Sequence, residues 1–397
     1  MNKKQKKLIA ISVLMQTIYL FFELFFGIFT YELTQNLNII ITYNLLGSIT
    51  FVVFMLIIYK FLNNKILNIL YKSSFLLSLI AILASFTIDK TRIFMIFVAQ
   101  IILYLSYVCY YLPHEVATMN TNETSKMKKF LGLSSALSLF VGFLSPLLSG
   151  YIIDTWSYTI IFTLLAMLSI ICFILSLKTD FVRTSYKLYG IKNFLKTTLK
   201  NPPMRLCIKS YFLYHLANGS LISIFLPLLL FTKTQTNFSV GIYSGLASLI
   251  AGIVLVIYCY YNKNKPLALW INTIAQVLSA FAIICFKSMM VFFIYYFIRK
   301  ITIKILQNGV NESILTMLNG TSLQTYKIEN FYTYNFFNHF AILISSMISF
   351  IIYNLINNST AITFILILFS FIQIPSTFLI NKYDKLKGKY YENSNDN

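Results

Sequence analysis

Charge is what this chain has least of. Only 11% of its 397 residues are charged, and acids are scarcest, with 12 Asp and Glu against 32 Lys and Arg. A soluble domain carries about 25% charged residues and roughly 45–50% apolar ones. A 58% hydrophobic chain cannot hide its surplus behind a wetted surface. There are only 3 His and 5 Cys. Cys109, Cys172, Cys207, Cys259 and Cys285 show neither metal-ligand spacing nor a disulfide framework, so no metal and no cofactor are expected. No phosphate-cradling glycine loop, zinc-helix motif or nucleophile elbow appears. The acids are dispersed rather than paired, so no enzyme is expected. These absences exclude a soluble enzyme, a disordered chain and a nucleic-acid-binding domain, despite a net charge of +20.

The surplus lies in long apolar runs. They span roughly Leu8–Phe29, Ile39–Tyr59, Leu67–Ile88, Ile93–Leu112, Phe130–Ile153, Trp156–Leu177, Leu206–Phe231, Val240–Tyr261, Leu267–Phe286, Met289–Asn308, Phe331–Asn354 and Ala361–Ile380. About 20 apolar residues cross a bilayer as a helix. Backbone groups in lipid must be satisfied within the segment, and continuous runs do not fit a barrel's short alternating strands. The expected fold is an all-α polytopic membrane protein with twelve transmembrane helices.

With the N-terminus inside, 25 of the 32 Lys and Arg fall in inner segments and 4 in outer loops. That bias places both termini in the cytoplasm and the chain in the cell membrane. The basic charge is therefore a topology signal with some attraction to anionic lipid. The first run is too long for a signal-peptide core and reads as a retained helix. A basic segment containing Pro202–Pro203 separates two blocks of six runs. The expected organisation is an N-terminal six-helix bundle over 1–177, a cytoplasmic loop over 178–205, a C-terminal six-helix bundle over 206–380 and a cytoplasmic tail over 381–397. Tyr151–Asp154 with Phe162 is faintly echoed by Tyr353–Ile356 with Phe364 about 200 residues later. Two repeats of six spans suit a transporter. A monomer is the expected state.

Local motifs add a resemblance. Leu112–Pro113–His114–Glu115 is followed by Lys126–Met127–Lys128–Lys129. The fifth run ends Ser145–Pro146–Leu147–Leu148–Ser149–Gly150, then Asp154–Thr155–Trp156 and Phe162. This stretch resembles the major facilitator superfamily, whose fifth helix typically carries Gly-Pro-x-x-Gly-Gly. Here the first two of those glycines are Ser145 and Ser149. Asn201–Arg205 and Phe225–Leu228 resemble drug-efflux members. Two departures stand out. Tyr59–Lys65 lacks the Gly and Asp usual in the family's loop between helices two and three, and Gln100 lies near the place of the family's fourth-helix Arg. The resemblance implies two six-helix bundles around a central cavity lined by spans one, four, seven and ten.

Polar residues pick out the same four spans independently. Glu23 is the one acid inside a span, and it shares a helical stripe with Ser12, Gln16 and Tyr19. A carboxylate in hydrocarbon costs about 2.5–3.5 kcal/mol by insertion scales, and burial favours its protonated form, so Glu23 is a candidate proton carrier. Gln100, Tyr104, Tyr107 and Tyr111 line one face of the fourth run, and Tyr211, His215 and Asn218 one face of the seventh. Arg299, Lys300, Lys304 and Asn308 mark the tenth, with Arg299 suited to grip an anionic group. The candidate substrate-binding set is thus Gln16, Tyr19, Gln100, Tyr104, Tyr107, His215, Asn218, Arg299, Lys300, Lys304 and Asn308. The functional expectation is proton-coupled efflux of a small amphipathic or anionic compound by alternating access, with the substrate, protons and the lipid bilayer as partners. The alternatives are a transport-incompetent sensor or immunity protein and an integral-membrane transferase.

Overall fold

The structure is a computed structural model that describes residues 3–58, 63–120, 124–177, 196, 198–261, 265–286, 288–319, 327–356 and 359–392. Most of the expected central loop and the end of the tail lie outside the described residues, as do residues 59–62 of the departing loop motif. The Lys126–Lys129 side chains lie outside them too. Among the described residues every regular element is helical. The helices are α1 (Lys3–Phe21), α2 (Gly27–Thr34), α3 (Leu37–Ile58), α4 (Asn64–Phe86), α5 (Phe94–Asn120), α6 (Thr124–Thr155) and α7 (Tyr158–Leu177). They continue as α8 (Pro202–Ala217), α9 (Ser220–Thr234), α10 (Asn237–Tyr261), α11 (Lys265–Phe286), α12 (Met289–Asn319), α13 (Lys327–Ile356) and α14 (Ser359–Glu392). A π-helical segment, Phe22–Phe26, joins α1 to α2 in one continuous helix.

Local chemistry explains several boundaries. Asn63 caps α4 by accepting from the Ile66 amide at 2.9 Å, and Asn201 caps α8 at Met204. Pro202 and Pro203 open α8, where missing amides cost nothing. Gln35 ends α2 and Gln235 follows α9, both left-handed at φ 51° and 60°. Each donates its amide one turn back, to Tyr31 O at 2.8 Å and Phe231 O at 2.7 Å. The two caps are 200 residues apart, the same offset as the faint sequence echo.

Ten described helices are long and apolar enough to cross a membrane. Their outer faces agree: Leu278 is 63% and Leu355 80% exposed, surfaces that lipid tails solvate and water does not. This is a multi-pass membrane protein. Two expected spans differ in form. The seventh is broken between α8 and α9 at Asn218–Gly219. The tenth lies within α12, a continuous 31-residue helix carrying Arg299, Lys300 and Lys304.

The chain forms two compact units. The first comprises Met1–Ser185 with Ser223–Leu249, and the second Tyr186–Ile222 with Ile250–Asn397. The first has an aromatic core in which Phe21, Phe29 and Phe162 meet edge to face at 5.5–5.6 Å. Within it α6 and α10 touch through their backbones, since a Cβ on Gly241 would collide with Pro146 O. The second is built around Met204, Ile208, Tyr214, Leu269, Leu306 and Tyr383.

Candidate functional site

In the first unit the stripes of the first and fourth runs meet. The Tyr19 hydroxyl lies 3.3 Å from Ser106 Oγ, and Ser106 donates to Ser74 O at 2.9 Å. The Tyr19 ring packs edge-on to Tyr107 at 4.8 Å, and Tyr107 stacks on Tyr111 at 5.3 Å. Gln16 instead donates to Ser138 O at 3.2 Å, tying α1 to α6. Tyr104 lies against Gly47. Gln100 is buried, and its Oε1 has no described donor. Tyr71 and Tyr110, not singled out in the sequence, extend this cluster together with His114, noticed there only as part of a motif. The Tyr71 hydroxyl sits 3.2 Å from His114 Nδ1, and Tyr110 stacks on the same imidazole at 4.8 Å. The signal lay in Tyr107, Tyr110, Tyr111 and His114 recurring at helical spacing.

Glu23 occupies the π-helical segment, where one extra residue widens the turn. It is half-buried, within electrostatic reach of Tyr107, and no described cation forms an ion pair with it. Single-turn π-bulges cost hydrogen-bond regularity and occur frequently at functional sites.

In the second unit the seventh and tenth runs meet at the helix break. Arg299 is 0% exposed. Its Nη2 donates to Ala217 O at 3.2 Å and Asn218 Oδ1 at 3.1 Å, and its Nη1 to the Tyr295 hydroxyl at 3.3 Å. Asn218 Nδ2 donates to Tyr214 O at 2.9 Å and to Gln373 Oε1 at 3.0 Å. The break leaves the last carbonyls of α8 without helical donors, and the negative end of that helix faces the guanidinium. Dehydrating a cation costs several kcal/mol, and these acceptors offset part of that cost. No carboxylate pairs with Arg299 among the described residues. Gly219 is required by close approach, because a Cβ there would collide with Ser345 Oγ.

The other candidates scatter. His215 is half-buried between the rings of Tyr211 at 4.4 Å and Tyr214 at 4.9 Å. Lys300 lies 5.9 Å over the Tyr296 ring, Lys304 is exposed, and Asn308 approaches Cys259 Sγ at 3.8 Å. Arg299 thus faces inward while Lys304 does not. Gln373, Ser345 and Tyr295 went unnoticed in the sequence. Gln373 was visible as an isolated amide in the last apolar run.

Two further polar clusters lie at helix ends. In the first unit both Asp154 carboxylate oxygens accept backbone amides opening α10, Asn237 at 3.1 Å and Phe238 at 2.7 Å. The Tyr158 hydroxyl donates to Asn237 Oδ1 at 3.2 Å, and Asn237 Nδ2 to Glu32 at 3.5 Å. In the second unit Lys265 pairs with Glu312 and Asp384, both at 3.1 Å. Among the described residues no cluster of three His, Cys, Asp or Glu fits a metal ion.

Comparison with solved structures places the architecture. A point mutant of the nucleoside transporter NupG matches 96% of this chain and 100% of its own, with a TM-score of 0.70 at 10% identity. This is the major facilitator fold. A bacterial homologue of the iron transporter ferroportin, in an inward-facing state, matches 96% of this chain and 98% of its own, with a TM-score of 0.66 at 14% identity. At such identities the likeness concerns the fold alone. No family model and no curated protein sequence matches the chain.

Proposed function

We propose that this protein is a secondary active transporter that exports a small amphipathic or anionic compound in exchange for protons. The observation carrying the reading is Glu23, a half-buried carboxylate in a π-helical turn at mid-span, with no described cation beside it. Taking a carboxylate out of water favours its neutral form, and returning it to water favours the ion. Access alternating between the two membrane faces turns that difference into coupling: protonation from outside, release inside as substrate loads. Tyr19 and Tyr107 supply ring faces and hydroxyls suited to an amphipathic ligand. The Lys and Arg asymmetry favours cytoplasmic termini in a cell membrane, and the two repeats suffice for a monomer. The solved structures of the same fold are named as transporters, which agrees with transport rather than catalysis.

The test is proton movement in inside-out vesicles read with a pH-sensitive dye, against a panel of drugs, organic anions and short peptides. The expected result is a compound-specific pH change across vesicles holding the protein and none across empty ones. Substrate flux without any pH change contradicts proton exchange. No flux of any panel member contradicts the transport reading.

A further inference from the structure

Among the buried donors of the second unit that have no described acceptor, three lie against one break. They are Arg299 Nε, Gln373 Nε2 and Ser345 Oγ. Each of these residues is 0% exposed. Arg299 reaches Ala217 O and Asn218, Gln373 accepts from Asn218, and Ser345 fills the space beside Gly219. They arrive from α12, α14 and α13, so three helices bring spare donors to one three-residue segment. Each lies in the interior of its own helix, away from both ends. The break adds more donors. Helix α9 begins at Ser220, and its first-turn amides have no helical acceptors and carry the positive end of the dipole.

What the site lacks is a negative charge, since the described acceptors of Arg299 are neutral carbonyl, amide and hydroxyl oxygens. The described carboxylates that form ion pairs in this unit, Glu312 and Asp384, are taken up by Lys265. A cation here would meet the charge of the buried guanidinium. A neutral ligand or a water would satisfy hydrogen bonds yet leave the guanidinium uncompensated. A planar fork with free N–H groups matches a compact anion.

We propose that the Ala217–Ser220 break binds a compact monoanion, either the carboxylate of the transported compound or a halide. Arg299, Gln373, Ser345 and the first amides of α9 hold it. The carboxylate source rests on the transport reading above; the site itself does not.

The test uses the purified full-length chain in detergent and follows its unfolding temperature with sodium acetate, sodium chloride and acetamide at equal ionic strength set with sodium sulfate. A saturable rise with acetate assigns the carboxylate source, a rise with chloride alone assigns the halide, and acetamide gives none. Ser345→Ala and Gln373→Met each weaken the apparent affinity about tenfold, and Arg299→Gln abolishes the effect. The first two variants leave Arg299 in place, so they remain informative if Arg299→Gln fails to fold. No saturable rise with either anion overturns the proposal. So does an equal rise with acetamide, or unchanged affinity in both milder variants. Because binding is read without transport, a protein that binds acetate here but moves no compound overturns the transport reading and leaves this site standing.

Discussion

The helices opening the two halves of the chain are both interrupted, but in opposite ways. The first gains a residue: Phe22–Phe26 widens into a π turn and the chain continues. The second loses its continuity, and Asn218–Gly219 separates α8 from α9. Aligned on the Gln35 and Gln235 caps, the two interruptions fall within roughly two helical turns of each other. Their chemistry is complementary. The first interruption presents an acid within electrostatic reach of Tyr107, the second a buried cation among carbonyl, amide and hydroxyl groups. A π turn keeps the helix continuous. A full break exposes helix ends, which are ready-made sites for charge. In this account the first region couples and the second holds.

Several substitutions sharpen or break that comparison. The largest effect is expected from Glu23→Gln, which should reduce gradient-driven flux about a hundredfold while substrate exchange falls less than threefold, measured side by side in proteoliposomes. Arg299→Lys should lower driven flux and exchange together, by about tenfold, because a point charge cannot make the guanidinium's three spread bonds. Equal losses in both assays for Glu23→Gln would erase the division of roles. Gly219→Ala should cost about 1–3 kcal/mol of stability by overpacking against Ser345, with Ser345→Gly restoring most of it in the double variant; thermal unfolding in detergent reads both. The smallest effect lies away from both regions. Thr91 donates backbone and side-chain bonds to Asp89 and holds its carboxyl below the usual value of 3.8. A depressed carboxylate stabilises the fold above that pH, and the contribution disappears as pH falls through the folded value. Thr91→Ala should therefore leave unfolding near pH 7 only slightly changed and flatten the decline in acid below about pH 4.

Much of the fold was legible because lipid imposes such a simple rule. Continuous apolar runs become helices, and most of the expected spans stand as helices close to their expected limits. What could not be read was geometry within a helix. Nothing in Leu20–Phe26 announces a π turn, since an extra residue per turn leaves an apolar run apolar. The seventh run looked continuous because Asn218 and Gly219 are short, and the side chain that meets the break there, Arg299, lies 81 residues later. The polar stripes on spans one, four, seven and ten were visible as periodicity, and the structure joins one to four and seven to ten within their units. Gln373 and Ser345 carried no stripe, so single polar residues on distant runs gave no reason to group them. Asp154 was noticed as part of a motif, but its bonds to the start of α10 rest on a backbone, which has no sequence signature.

The most direct test of the central claim is the ratio of gradient-driven flux to exchange for Glu23→Gln and Arg299→Lys, measured in the same proteoliposomes with a compound found by the dye screen. The account predicts a ratio that collapses about a hundredfold for Glu23→Gln and stays within threefold of wild type for Arg299→Lys. An unchanged ratio in Glu23→Gln would contradict it, because the carboxylate in the π turn would then carry no proton.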